Sequence, residues 1–214
     1  MKVSRRDFIK KGADISVATG LAGLLVSTQA GANEPKSVPQ AVNLKRRYKR
    51  KVNIQKLTLK SFAKYGSFGN MLDPTTPKLG AVPIEFFRDM VPLDLGDKTL
   101  ASFSAARVHP RPPVITVMEQ HSTCCEGILP LDADIFMFVG VATAKGQDPI
   151  ENIEVFDVPR GTFVSLLPGT WHHGPFVRDG KVANILIVLP RRTYVNDCTI
   201  FEIPEEDHIE IVGA

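Results

Sequence analysis

Two segments of the sequence indicate how the chain folds. Residues 119–126 read Glu-Gln-His-Ser-Thr-Cys-Cys-Glu, and residues 168–173 read Pro-Gly-Thr-Trp-His-His. Alternate side chains of a strand share a face, so Glu119 and His121 point the same way. A bend after His121 can return Glu126 to that face. The Pro-Gly pair predicts a turn, after which His172 opens a strand. Because neighbours in a strand point to opposite faces, only one of His172 and His173 enters the same cavity.

The two segments predict a metal site. Two imidazoles and two carboxylates suit a divalent ion of borderline hardness, such as nickel, manganese, iron or zinc. The residue types alone do not identify which of these ions binds. The alternative is that the carboxylates lie on the surface and the histidine caps a turn. The four predicted ligands are Glu119, His121, Glu126 and His172.

The rest of the chain predicts an all-β domain. It has 16 Pro and 16 Gly in 214 residues, and many of them separate short apolar runs. Short strands divided by such turn signals are typical of a sandwich or a barrel. A short helix is expected within residues 57–65, entered at Thr58. The candidate strands are Thr99–Arg107, Val114–His121, Asp134–Val141, Ile153–Val158, Phe163–Leu167, Ala183–Val188 and Thr199–Ile203.

Charge is distributed unevenly along the chain. The net charge is +3, yet residues 52–214 hold 14 basic and 20 acidic groups, so the basic excess lies at the N-terminal end. Hydrophobic residues make up 43% and charged residues 23%, an ordinary globular composition that excludes disorder throughout. A nucleic-acid-binding domain is not indicated, because the body of the chain is acidic.

The first 32 residues have the layout of a twin-arginine export signal. Arg5 and Arg6 precede a mildly apolar stretch, roughly residues 15–28, and small residues follow up to Ala32. That stretch is shorter than the roughly 20 residues needed to span a bilayer, so no transmembrane segment is expected after cleavage. We expect a periplasmic or secreted protein. Residues 33–52 are expected to form a basic extended arm, and residues 53–214 the folded barrel domain.

The spacing of the two metal-site segments resembles that of the cupin superfamily. The first cupin motif is His-x-His followed by Glu, and the second places a His three residues after the Gly of a Pro-Gly turn. His121, Glu126 and His172 match these positions, whereas Glu119 replaces the first His. The resemblance implies a cupin-type double-stranded β-helix, which is a jelly-roll barrel.

A narrower resemblance is to the ureidoglycolate lyase family. Residues 119–131 match its Glu-Arg-His-Pro-Leu-Gly-Ser-Gln-Ala-Phe-Ile-Pro-Leu segment without a gap, residues 171–175 are similar to its Trp-His-His-Pro, and residues 107–113 to its Arg-x-x-Pro-Arg. The similarity spans about residues 55–203. It implies a homodimeric enzyme of purine catabolism that splits ureidoglycolate into glyoxylate and urea. Glu126 stands where the family has Gln, which adds a charge to the cavity.

The chemistry of the remaining polar residues suggests their roles. Glu119 or His173 would take the hydroxyl proton of a small carboxylate substrate. Arg107 or Arg111 would hold the substrate carboxylate through bidentate hydrogen bonds. Two other functions fit the same ligands: a cupin oxygenase that uses iron or manganese, and a periplasmic cupin that binds a small ligand without turnover.

The chain has three cysteines, at positions 124, 125 and 198. Burial as small apolar side chains is expected for all three. In an oxidising compartment, one of the adjacent pair can alternatively form a disulfide with Cys198.

Overall fold

The computed structural model describes residues 48–144 and 146–214, and nearly all of their regular secondary structure is β-strand. Two single-turn helices, α1 (Leu59–Phe62) and α2 (Thr193–Asn196), and a 3-10 helix (Glu205–Asp207) interrupt the strands. The strands are β1 (Arg50–Lys56), β2 (Gly66–Asn70), β3 (Lys78–Ala81), β4 (Ile84–Phe87), β5 (Ala101–Val108), β6 (Val114–Ile115), β7 (Val117–Gln120), β8 (Glu126–Pro130), β9 (Ile135–Gly140), β10 (Ile153–Val158), β11 (Thr162–Leu166), β12 (Phe176–Val177), β13 (Ala183–Pro190), β14 (Thr199–Glu202) and β15 (Ile209–Val212).

Two sheets enclose the main core. One has the strand order β12-β9-β10-β1-β15-β6 and the other β2-β11-β8-β13-β5. Buried side chains of both sheets meet between them, including Met137 and Phe156 from the first sheet and Val164 and Ile185 from the second. Pairing within the sheets is antiparallel except for β1, which lies parallel to β10 and to β15. This is the cupin-type double-stranded β-helix that the sequence predicts.

A second core covers the other face of the six-stranded sheet. In β9, Ile135 and Met137 face the main core, whereas Phe136 and Phe138 belong to the second. The ring of Phe136 stacks on that of Phe176, with centroids 5.3 Å apart. Because β9 is buried on both faces, its sequence is a continuous apolar run without alternation.

Backbone hydrogen bonds join the two segments that the sequence singles out. Glu119 and His172 form an antiparallel bridge, with N···O distances of 2.6 and 2.9 Å. The N–H of Gly169 donates to the carbonyl of His121 at 2.6 Å. Strand β8, which begins at Glu126, pairs with β11 so that Glu126 lies opposite Leu166. The two segments therefore lie side by side although they are far apart in the chain.

The sequence predicts many of these elements. The strand Ile153–Val158 is confirmed with its bounds. The expected helix is α1, in which the N–H of Ser61 donates to Oγ1 of Thr58 at 3.2 Å. The single strand expected over Val114–His121 is instead two strands, because β6 pairs with β15 and β7 with β14, and the partner changes at Thr116.

The N-terminal expectations fall mostly outside the described residues. The export signal at residues 1–32 and the arm up to residue 47 lie there, so both stay predictions. Residues 50–52, which the sequence assigns to the arm, are the first residues of β1 and pair with β15. Nζ of Lys51 lies 2.7 Å from Oε2 of Glu210 across that pair. No helix in the described part of the chain is long and apolar enough to cross a membrane.

Candidate metal centre

Three of the four predicted ligands converge in the barrel. His121, Glu126 and His172 are all buried, and their ligand atoms lie within 4.8 Å of one another. Oε2 of Glu126 lies 3.1 Å from Nε2 of His121 and 2.9 Å from Nε2 of His172. We call these three residues the His-Glu-His group.

Both imidazoles of the group are held through their other nitrogen. Nδ1 of His121 donates to the carbonyl of Asp197 at 2.6 Å, and Nδ1 of His172 donates to the carbonyl of Thr170 at 2.8 Å. A carbonyl only accepts, so the proton of each neutral ring is on Nδ1 and the lone pair of Nε2 faces Glu126. Nε2 of His121 is buried and makes no hydrogen bond of acceptable geometry. Two lone pairs and a carboxylate oxygen that converge in this way fit a metal cation.

Charge within the group also favours a cation. Burial by itself raises the pKa of Glu126, but the two imidazoles outweigh burial and lower that pKa to about 2. Burial lowers the pKa of His172, but the Glu126 carboxylate outweighs it and raises the pKa. The carboxylate is therefore ionised at a buried position, where it needs a positive partner. A proton on His172 can be that partner when no ion is bound, and a divalent ion can replace it.

The Pro-Gly turn positions His172. Gly169 has φ of +79°, and a Cβ there would lie 2.9 Å from Cβ of Ala142. Only glycine adopts this conformation readily in such close contact. Oγ1 of Thr170 donates to the carbonyl of Tyr65 at 3.2 Å and so ties the turn to the core. These contacts direct the side chain three residues after the glycine into the barrel.

Glu119 borders the group. Within the described residues, the ligand atoms that all lie within 4.8 Å of one another belong to His121, Glu126 and His172, and Glu119 is not part of this set. Oε2 of Glu119 instead accepts a hydrogen bond from Sγ of Cys198 at 3.4 Å. Burial and the Glu119 charge raise the pKa of Cys198 to about 12, so Cys198 stays a thiol donor. The Glu119 charge also acts to raise the pKa values of His172 and His173, and Glu119 pairs directly with His172 in the antiparallel bridge.

His173 and Arg111 lie together beside a small cavity of about 110 Å³. Burial lowers the pKa of His173, with Arg111 contributing in the same direction, so the ring is neutral at neutral pH. The Arg111 guanidinium donates to the carbonyls of Pro175 (2.8 Å) and Gly174 (2.5 Å), and its carbon lies 3.9 Å from the ring centroid of Phe176. Arg111 is therefore fixed as a positive charge close to His173.

Arg107 lies elsewhere. It is exposed on β5, and its Nε donates to Oδ1 of Asn184 at 3.1 Å. The amide of Asn184 in turn donates to Asp132. The structure therefore brings Arg111, but not Arg107, to the neighbourhood of His173.

Comparison of the chain with known protein families gives a match that covers the part of the chain that contains the site. Residues 49–210 match the sequence model of the ureidoglycolate lyase family. The chain belongs to the ureidoglycolate lyase family. It is a cupin enzyme by fold and family, and the matched range contains the positions of all the predicted site residues. No curated protein sequence matches the chain significantly.

Some solved structures are also similar to this member of the ureidoglycolate lyase family. A dTDP sugar isomerase from Desulfovibrio desulfuricans G20 is 12% identical, with 65% of this chain and 83% of that chain covered and a TM-score of 0.40. The dTDP-6-deoxy-D-glucose-3,5-epimerase from Legionella pneumophila Philadelphia 1 is 13% identical, with 64% and 69% covered and a TM-score of 0.33.

Two residues at the site were not predicted from the sequence. The ring of Tyr194 packs edge-on against that of His121, with centroids 5.6 Å apart. Asp197 binds the loop that follows His121. Both lie between the candidate strands Ala183–Val188 and Thr199–Ile203, in a segment that the structure shows to contain α2.

The cysteines of this family member are free. Cys124 and Cys125 are buried as expected, and Cys198 is partly buried. The alternative disulfide with Cys198 is not formed. Burial raises the pKa of Cys124 to about 11, which makes it an unreactive thiol at neutral pH.

Proposed function

We propose that this protein is a metal-dependent lyase that splits the C–N bond of a small ureido hydroxy acid, giving glyoxylate and urea from ureidoglycolate. The observation that carries the proposal is the convergence of two Nε2 lone pairs and one ionised carboxylate in the His-Glu-His group. Membership of the ureidoglycolate lyase family supports the reaction class and the substrate.

The His-Glu-His group would hold the ion. Three protein ligands leave coordination positions open for a substrate, as in other catalytic metal sites. A divalent ion there would polarise the hydroxyl and carboxylate oxygens of the hydroxy acid as a Lewis acid. Two imidazoles and one carboxylate suit nickel, manganese, iron or zinc.

In this proposal, Glu119 acts as the base. It borders the group without belonging to it, so its carboxylate is free to take the substrate hydroxyl proton. The electron pair of the O–H bond then forms the C=O bond of glyoxylate. The C–N bond breaks at the same time, and the electron pair of the C–N bond goes to the leaving nitrogen. That nitrogen takes a proton and departs as urea. Neutral His173 can relay this proton, and the charge of Arg111 attracts the anionic substrate.

The direct test is glyoxylate release from ureidoglycolate by protein loaded with each candidate metal, corrected for the spontaneous reaction. The proposal predicts release that depends on metal and is lost in His121→Ala and Glu119→Gln. If the wild type releases glyoxylate no faster than these two variants with any of the four metals, ureidoglycolate is not the substrate.

One observation favours a second candidate function. With Glu119 outside the group, the set of two histidines and one carboxylate is the set that non-haem iron oxygenases use. Oxygen uptake by the iron-loaded protein on a hydroxy or ureido acid, without glyoxylate release from ureidoglycolate, would support the oxygenase.

A further inference from the structure

We propose that Asp197 is a positioning residue for the metal group: it orients the His121 ring and fixes the loop that joins His121 to Glu126. This inference rests on the proposed metal site. No metal ligand is expected at Asp197 itself, and the residue acts through its contacts with the loop.

The Asp197 carboxylate accepts four hydrogen bonds from two consecutive residues. Oδ1 accepts from the N–H (2.9 Å) and Oγ (2.7 Å) of Ser122, and Oδ2 accepts from the N–H (2.8 Å) and Oγ1 (2.6 Å) of Thr123. A carboxylate has about four lone-pair positions, so this one is fully used. Ser122 and Thr123 directly follow His121 in the chain.

The backbone of the same residue orients the ligand. The carbonyl of Asp197 accepts the Nδ1 hydrogen bond of His121 at 2.6 Å, which directs Nε2 toward Glu126. Asp197 is itself fixed, because it caps the C-terminal end of α2 and its N–H donates to the carbonyl of Thr193, the first residue of that helix. One residue thus sets both the ring orientation and the path of the loop.

The loop needs this support because it connects two ligands. Residues 122–125 span from His121 to Glu126, whose ligand atoms are 3.1 Å apart. Asp197 holds the first half of the loop, and the carbonyl of Asp94 holds the second half through the N–H of Cys125 at 2.8 Å. Release of the first half would let His121 move away from Glu126. The affinity for an ion held between the two residues would then fall.

The main test is the variant Asp197→Asn, titrated with Zn²⁺ against a competing chelator. An amide has one acceptor oxygen, and its NH₂ group faces donors, so part of the clamp is lost. We expect Zn²⁺ affinity to fall by about 10–100-fold, the usual effect of changing a residue that supports a metal ligand. The visible spectrum of the Co²⁺-loaded variant should also change, because the geometry of His121 changes.

The matched control is Asp132→Asn. Asp132 also accepts a backbone and a side-chain hydrogen bond, from N (2.8 Å) and Nδ2 (2.5 Å) of Asn184, but it lies in the surface network of Arg107. This variant should keep wild-type Zn²⁺ affinity and the wild-type Co²⁺ spectrum. An equal loss of affinity in both variants would assign the effect to general stability and overturn the proposal.

Ser122→Ala and Thr123→Val test the clamp without changing Asp197. Each removes one hydroxyl donor, so each should weaken Zn²⁺ binding less than Asp197→Asn, and the double variant should weaken it more than either alone. These variants decide the question if Asp197→Asn fails to fold. Wild-type affinity in the double variant, with an unchanged Co²⁺ spectrum, overturns the positioning role alone. Failure of the wild-type protein to bind any divalent ion overturns the proposed function and this inference together.

Discussion

Nε2 of His172 lies 2.9 Å from Oε2 of Glu126, although 46 residues separate them in the chain. Glu126 opens β8, and His172 follows the turn after β11, the strand that pairs with β8. The pairing of two barrel strands thus brings an ionised carboxylate to an imidazole whose Nδ1 proton is already used.

His172 and His173 should differ in their effect on metal affinity. His172→Ala removes a ligand and should lower Zn²⁺ affinity by more than the roughly 10–100-fold typical of a supporting residue. His173→Ala should leave affinity close to that of the wild type, because His173 lies beside Arg111 and outside the His-Glu-His group. Calorimetric titration measures both. Equal affinities in the two variants would contradict the assignment of His172.

Metal should stabilise the fold. An ion that binds only the folded chain adds about 2.7 kcal/mol to the free energy of unfolding at a free concentration of 100 Kd. Thermal unfolding with Zn²⁺, and again after chelation, measures the shift. The same addition to His172→Ala at the same concentration should give a much smaller shift. A wild-type midpoint that does not respond to any of the four candidate metals would count against the site.

Gly169→Ala should destabilise the protein. Alanine at φ of +79° costs about 1–2 kcal/mol, and the contact with Ala142 adds to this cost. Gly180→Ala is the matched control, because Gly180 has φ of +65° but nothing within 4 Å of its Cβ position. Urea unfolding should therefore rank wild type above Gly180→Ala, and Gly180→Ala above Gly169→Ala. Equal stability of the two variants would show that the turn tolerates a side chain.

Glu119→Gln should separate chemistry from metal binding. Loss of the base should slow glyoxylate release by about 10²–10⁴-fold while Zn²⁺ affinity stays unchanged. Both quantities are measured on one preparation. A loss of affinity comparable to that of Glu126→Gln would instead make Glu119 the fourth ligand, as its position beside His121 in the sequence predicts.

Much of the barrel can be predicted from local patterns. Strands β9, β10 and β13 are rich in apolar residues and end at clear turn signals, so they are visible in the sequence. Strand β1 (Arg50–Lys56) is not visible, because its charged residues resemble the basic arm and its partners β10 and β15 lie far along the chain. Strand β8 is short, begins with Glu126 and contains Gly127, so no local pattern marks it.

Some features of the site can likewise be predicted from local patterns, and others depend on contacts between remote residues. Strand alternation and turn geometry are local, and they predict that Glu119, His121, Glu126 and His172 meet. The structure brings His121, Glu126 and His172 together and leaves Glu119 beside them. The surroundings of Glu119 depend on Cys198, and the role of Asp197 depends on Ser122, 75 residues away. Contacts between such remote residues leave no spacing signal in a single sequence.

The metal content of the protein purified from its native host tests the central claim most directly. Elemental analysis should find close to one divalent ion per chain in the wild type. Glu126→Gln keeps the size of the side chain but removes the charge between the two imidazoles, so it should retain almost none under the same conditions. Equal metal content in the two proteins, or none in the wild type, would contradict a metal centre built from His121, Glu126 and His172.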